Sequence, residues 1–228
     1  MPTADRRLFV PQAIRYFLRQ DYPNCELIVV DDGADAVADL IPPDSRLRYV
    51  RLNRKQTIGA KRNLACEEAR GEVIIHWDDD DWNAKWRLNY QVEGLLNAQA
   101  DVSGLDKLFY YNLSSHQSWQ YIYPPGSKPW VAGNTLCYTK PFWKKNPFPN
   151  INVGEDTKFL WSGHPKKIIA LQDCKFYLAL IHPGNASPKR TSDSRWHSHP
   201  LEEIRSLLGE DWAFYAGCLQ NKTKGQTK

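Results

Sequence analysis

At 228 residues, 42% apolar and 25% charged, the chain has the size and composition of one soluble globular domain, with room for an appendage. Its formal charge of +4 is too weak to argue for a nucleic-acid partner and fits an anionic small substrate as easily as no charged partner at all. The five cysteines are odd in number, scattered, and form no Cys-x-x-Cys pair, which argues against a zinc site and a disulfide framework and for reduced, cytoplasmic thiols.

The elements follow in chain order. Helical spacing of Ile14, Phe17 and Leu18, with Pro11 in the first turn, predicts a helix over 10–20. A short apolar run predicts a buried strand over 26–31, closed by the turn pair Asp32-Gly33. A second strand is expected over 47–52, a helix over 58–69 stopping at Gly71, a buried strand over 72–77, and a helix over 86–99. This βαβ rhythm predicts a mostly parallel sheet flanked by helices. After Asp101 the rhythm changes. A hairpin rich in Tyr and Trp is expected over 107–123, a strand over 130–138, a short helix over 154–161, late strands over 167–171 and 176–181, and an amphipathic helix over 201–215. The polar tail 221–228 is expected to be disordered. The organisation reads as one domain, with a nucleotide-binding half (1–100) and a mixed half (101–220) that supplies the other substrate. Arg6 and Arg7 precede an amphipathic segment, so no signal peptide is expected, and no window approaches the roughly 18 apolar residues of a membrane span.

Four consecutive aspartates, Asp78 to Asp81, follow the apolar run 72–77 and precede Trp82. Two carboxylates about 4 Å apart repel by roughly 1 kcal/mol in water and about 4 kcal/mol at a protein-like dielectric. A divalent cation offsets that repulsion, and Mg²⁺ or Mn²⁺ takes carboxylate oxygens while completing its shell with water and phosphates. Ligands collect at the carboxyl ends of strands in open α/β sheets, so a metal–diphosphate site is expected there. A solvated acidic turn is the alternative.

Three further clusters carry chemistry. Asp31-Asp32-Gly33 ends a strand, where an acid can accept from a ribose or base; a plain turn is the alternative. Gly59-Ala60-Lys61-Arg62-Asn63 opens a helix, so backbone N–H groups and two cations are placed where a phosphate could sit. Glu155-Asp156 begins a short helix, whose dipole favours ionised carboxylates and so a general base. In this order, with Met1-Pro2-Thr3, Gly71-Glu72 and Gly154-Glu155-Asp156, the set resembles glycosyltransferase family 2, the inverting enzymes of GT-A fold. The resemblance runs from Met1 to Trp161, and weakly through His182-Pro183-Gly184-Asn185.

The resemblance implies metal-dependent transfer of a sugar from a nucleotide-diphosphate donor, a UDP-sugar by family default, to a saccharide or other hydroxyl acceptor with inversion. The family's Asp-x-Asp motif falls on Asp78 and Asp80, which with His182 are the expected ligands of Mn²⁺ or Mg²⁺. Asp156 is the expected base, with Glu155 beside it. Thr3, Arg6, Asp32, Lys61, Arg62, Asn63, Asp78 and Asp79 are the expected donor contacts. Where many family members have Thr-Tyr-Asn-Arg, this chain has Thr3-Ala4-Asp5-Arg6, so the aromatic available to stack on the base is missing. The aromatic residues Trp119, Tyr121, Tyr123, Trp130 and Trp143 are expected to line an acceptor cleft near Asp156. An inactive sugar-nucleotide binder is the alternative function, followed by a nucleotidyltransferase, whose Gly-rich basic signature is absent. No Gly-x-Gly-x-x-Gly follows the first strand, which disfavours a dehydrogenase. A cytoplasmic place is expected, with peripheral attachment to the inner membrane face left open. Only Met1 stands before Pro2, so the first strand is expected to be nearly missing and the natural chain to start upstream.

Overall fold

The computed structural model describes residues 1–162 and 166–218; the tail 221–228 lies outside them. Three parallel strands open the fold: β1 (Pro2–Thr3), β2 (Leu27–Asp31) and β3 (Leu47–Arg51), in the order β1-β2-β3. Their register pairs Thr3 with Asp31 and Asp31 with Arg51. Helix α1 (Val10–Leu18) starts with Pro11 in its first turn, where a missing N–H costs nothing. Helix α2 (Ile58–Glu68) is capped by Thr57, which accepts from Ala60 N at 3.1 Å. Strands β4 (Val73–Ile75) and β5 (Trp82–Asn83) flank the aspartates, and α3 (Arg87–Asn97) follows.

The second half supplies β6 (Val102–Gly104), the hairpin β7 (Lys107–Asn112) and β8 (Ser118–Ile122), β9 (Cys137–Thr139), α4 (Lys140–Lys145), α5 (Glu155–Trp161), β10 (Ile168–Ala170), β11 (Tyr177–Ile181), β12 (Trp196–Ser198), α6 (Leu201–Leu208) and α7 (Trp212–Gly217). These complete two mixed sheets, β10-β6-β9-β4 and β12-β8-β7-β11-β5. The halves interleave, because β4 pairs with β9 and β5 with β11. That interleaving carries the aspartates between β4 and β5 into the middle of the molecule.

Several expectations are corrected. The apolar run 72–77 is not fully buried: Val73, Ile74 and Ile75 are half-buried. They border a cavity of about 640 Å³ that is also lined by Met1, Phe17, Leu27 and Ile28. The Met1 amine is buried there and donates to Ile28 O at 2.8 Å. The strand expected over 130–138 survives only as β9. Before it, Gly133–Thr135 turn as a single 3₁₀ turn, because Thr135 Oγ1 donates to Ala132 O and accepts from Leu105 N, both at 2.9 Å. The helix expected over 201–215 breaks at Gly209, whose φ of +54° turns the chain. Asp211 is thereby drawn inward to Arg19 at 2.6 Å and Trp82 Nε1 at 2.8 Å. No helix of the described residues is long and apolar enough to cross a membrane.

Candidate active site

A cleft of about 600 Å³ opens where the carboxyl ends of β1 and β4 meet the loops before α2 and α5. The chain between β4 and β5 divides the four aspartates by their surroundings. Asp78 and Asp80 keep partial exposure in the cleft, whereas Asp79 and Asp81 are buried. Asp79 Oδ2 accepts from Thr3 Oγ1 at 2.5 Å. Asp81 accepts from Leu180 N at 2.7 Å and from the Tyr177 hydroxyl. Burial, reinforced by Asp80, pushes Asp79 up to about 7. Burial likewise raises Asp81 well above the ordinary carboxylate range. All four border the cleft, but the block serves two ends: Asp78 and Asp80 keep partial exposure there, and Asp79 and Asp81 are tied into the fold by hydrogen bonds.

Asp80 Oδ2 lies 2.9 Å from His182 Nε2, 3.3 Å from Asn185 Nδ2 and 3.5 Å from Arg6 Nη1. His182 is thus brought to the aspartates from the end of β11. Its Nδ1 accepts from Gly184 N at 3.1 Å, and its Nε2 stands between Asp80 Oδ2 and Arg6 Nη1, the latter at 3.1 Å. Among the described residues no three His, Cys, Asp or Glu side chains converge on one point. Asp78 and Asp80 nonetheless offer the hard oxygen donors that Mg²⁺ and Mn²⁺ prefer, with few protein ligands and the rest supplied by phosphate and water. The donor set fits such an ion. Coordination by His182 Nε2 would in addition have to displace Arg6 Nη1, which already stands 3.1 Å from that nitrogen.

The α2 cluster is corrected. Its first-turn N–H groups are already taken: Ile58 N by Asn152 Oδ1 at 3.0 Å, Gly59 N by Ile151 O at 3.1 Å, and Ala60 N by Thr57. They are not open to a phosphate. Asn63 faces away from the cleft, donating to Phe148 O at 2.9 Å and accepting from Trp143 Nε1 and Phe148 N at 2.9 Å each. Lys61 and Arg62 do line the cleft, as buried partners of acids. Lys61 Nζ reaches Asp32 Oδ1 at 2.7 Å and Thr3 O at 3.1 Å. Asp32 Oδ2 is occupied by Gln56 N at 2.7 Å. Asp31, wholly buried, holds the turn that follows it through Gly33 N and Val37 N.

Arg62 joins the two walls. Its Nε is 3.3 Å from Glu155 Oε1 and its Nη2 3.7 Å from Asp78 Oδ1. His76 Nδ1 stands 2.6 Å from Arg62 Nη1 and 2.6 Å from Gly133 O. Burial, then Arg62, holds the His76 ring neutral, well below the ordinary histidine range. Gly154, with φ +79°, swings the chain into α5, and packing of α5 on α2 brings Glu155 to Arg62. The helix dipole does not dominate at Glu155: burial raises it despite Arg62. Asp156 is half-buried, lines the cleft, and accepts from Thr157 N at 2.7 Å.

The aromatic expectation holds for one residue of five. Trp130 lines the cleft, backed by Tyr123 at 4.9 Å and Tyr121 at 5.8 Å between ring centroids. Trp143 is core, buried beside Tyr138, Phe148 and Phe159. Trp119 packs on Trp196. Trp119 and Tyr121, two apart on β8, share a face, and both rings pack on Trp196 of β12 instead of opening to the cleft. Tyr110, Gln56, Gly133 and Asn134 line the cleft without having been singled out. The Gly133-Asn134 pair inside an apolar run was a readable signal, since an isolated glycine there marks a close approach.

A sequence profile described as glycosyl transferase family 2 matches residues 1–152. The putative colanic acid biosynthesis glycosyl transferase WcaA of Escherichia coli K12 is 29% identical over 79% of this chain and 64% of its own length. The putative teichuronic acid biosynthesis glycosyltransferase TuaG of Bacillus subtilis is 29% identical over 93% of this chain and 90% of its own. An uncharacterized glycosyltransferase of Haemophilus influenzae is 32% identical over 42% of this chain and 40% of its own length, so the match covers less than two thirds of that relative, as it does of WcaA. Among solved structures, Staphylococcus aureus TarS 1–349 in complex with UDP superposes with TM-score 0.62 at 20% identity, covering 80% of this chain and 59% of TarS. The mannosyltransferase PcManGT of Pyrobaculum calidifontis, in complex with GDP-Man and Mn²⁺, gives 0.60 at 18% identity over all of this chain and 74% of its own.

Proposed function

This chain belongs to glycosyl transferase family 2 and has the GT-A fold, and on that premise we propose that it transfers a sugar from a nucleotide-diphosphate donor to an acceptor hydroxyl with inversion. One observation carries the reading: Asp78, Asp80 and Asp156 line the same cleft, with Arg62 bridging the walls they stand on. The donor diphosphate is assigned to Asp78 and Asp80, which would hold Mn²⁺ or Mg²⁺ with His182 nearby. When bound, that ion supplies positive charge for the departing diphosphate. Arg6, 3.5 Å from Asp80, adds a fixed cation at the same point. The nucleoside end of the donor falls to Thr3, Lys55 and Gln56, which line the cleft, while Asp32, buried with both oxygens held by Lys61 and Gln56 N, stands behind them.

Asp156 is the proposed base. The acceptor hydroxyl passes its proton to the Asp156 carboxylate as its oxygen bonds to the anomeric carbon. The bond from that carbon to the phosphate oxygen breaks, and its electron pair leaves with the nucleoside diphosphate. Glu155 is the weaker candidate, because it is buried against Arg62. Trp130 and Tyr110 form the acceptor wall, and flat rings suit the apolar face of a sugar. The structural neighbours bind UDP in one case and GDP-Man in the other, so both base types belong in the screen. A panel of UDP- and GDP-sugars with Mn²⁺ should show donor turnover that EDTA abolishes. Asp80→Asn should lose that turnover and keep its melting temperature. Turnover untouched by EDTA and by Asp80→Asn would remove the metal assignment.

A further inference from the structure

Gly133 has no conformational reason to be glycine, for its φ is outside the left-handed region. It has a spatial one. A Cβ built on it would lie 2.6 Å from Asp156 Cγ and 2.7 Å from Asp156 Cβ, and would overlap Oδ2. Oδ1 of the same carboxylate is held by Thr157 N at 2.7 Å. One oxygen of the proposed base is thus fixed from its own helix, and the other rests over the backbone of Gly133.

The turn that provides this support is braced from outside. Arg87 Nη2 donates to Asn134 O at 3.2 Å and Gln91 Nε2 to Thr135 O at 2.7 Å. Ala132 N donates to Leu105 O at 2.8 Å, and His76 Nδ1 stands against Gly133 O. Arg87 is fully buried, with its guanidinium spent on the oxygens of Asn83, Gln91, His76 and Asn134 and no acid within ion-pair distance among the described residues. A buried cation used on neutral acceptors is costly. Here it ties α3, the end of β4 and the turn into one unit.

We propose that the 133–135 turn is a rigid seat for the Asp156 carboxylate and that Gly133 is a positioning residue for transfer. The inference rests on Asp156 being the base. The seat fixes the distance from carboxylate to acceptor hydroxyl, where a misplacement of about 1 Å can cost on the order of a hundredfold.

The test uses the donor that turns over in the nucleotide-sugar screen. Gly133→Ala should lower kcat at least tenfold and leave the donor KM within about twofold. In an Asp156→Gly background the added methyl meets neither the carboxylate nor the Cβ of residue 156, so Gly133→Ala should leave the residual rate unchanged. Asp156→Glu, which keeps a base but lengthens it past the seat, should also lose at least tenfold. Wild-type kcat in Gly133→Ala or in Asp156→Glu would overturn the seat. So would an equal further loss from Gly133→Ala in the Asp156→Gly background, since that loss would come from the fold. If Gly133→Ala does not fold, Asp156→Glu alone decides. Full transfer by Asp156→Asn would overturn the base assignment; loss in Asp156→Asn with normal Gly133→Ala would overturn only the seat.

Discussion

The two walls of the cleft are made of different material. The wall from residues 1–81 is a lattice of charges at strand ends, where each acid has a named partner: Asp32 with Lys61, Asp79 with Thr3, Asp80 with Arg6 and His182. The opposite wall is Tyr110, Trp130, the Gly133–Thr135 turn and Asp156, set by packing and by backbone hydrogen bonds from distant elements. One wall can be altered charge by charge. The other answers to shape. Arg62 is the point where they are bolted together.

The largest effect should come from the acid on the shape-built wall. Asp156→Asn removes a proton acceptor and little else, because its side chain carries no ion pair among the described residues. Transfer should fall by a factor on the order of 10² to 10⁴, with nucleotide binding by calorimetry unchanged. Glu155→Gln should cost less rate and more stability, since it strips Arg62 of its Nε partner. The reverse order of rates would exchange their roles.

Arg62→Met cuts the connection. It leaves Glu155 and Asp78 as acids without their buried cation, a change that typically costs about 3–5 kcal/mol. Urea denaturation reads that loss. A variant as stable as the parent would mean that the walls are held independently of Arg62. On the shape-built wall alone, Trp130→Ala should raise the acceptor KM about tenfold, close to 1.4 kcal/mol, and leave the donor KM within twofold. Trp119→Ala, packed away against Trp196, should change neither. Equal effects from both would mean that the acceptor lies elsewhere.

Legibility followed the same division. That Asp80, Asp156 and Lys61 line one cleft was readable because charge after an apolar strand, or at a helix start, is a local pattern that burial alone would select against. Local pattern could not say which oxygen faces what. The helix start at Gly59 looked open to phosphate, yet the loop 149–152 closes it through Ile151 O and Asn152. Asn63 looked like a donor contact, yet it clamps Phe148 and Trp143. Both errors come from distant contacts: Ile58 and Asn152 are 94 residues apart in sequence, and Asn63 and Phe148 are 85 apart. Aromatic content predicted a cleft but not its members, because ring burial depends on which distant element covers a face, here Trp196 of β12 over Trp119 and Tyr121. The extended reading of 130–138 failed for a related reason: its carbonyls are satisfied by Arg87 and Gln91 instead of by a ladder.

The smallest effect separates the two kinds of aspartate within the charged wall. Asp79 stands at about 7, raised first by burial and then by Asp80. The folded state therefore holds its proton across a range where the unfolded chain, near the ordinary 3.8, has released it. More protons on the folded side mean that stability falls as pH rises. The Asp79 contribution is complete below about pH 4 and is lost as pH passes through about 7. Asp79→Asn places a neutral amide there and keeps an oxygen for Thr3 Oγ1. The variant should match the parent at pH 4 and exceed it at pH 8 by about 1–3 kcal/mol, within the limit set by a shift of this size. Denaturation in EDTA at both pH values tests this without a bound cation. Asp78→Asn should show a weaker difference, because Arg62 opposes the rise at that carboxylate. A parent that gains stability over Asp79→Asn between pH 4 and 8 would show Asp79 to be ionised in the fold, and would place it with Asp78 and Asp80 among the carboxylates free to meet a cation.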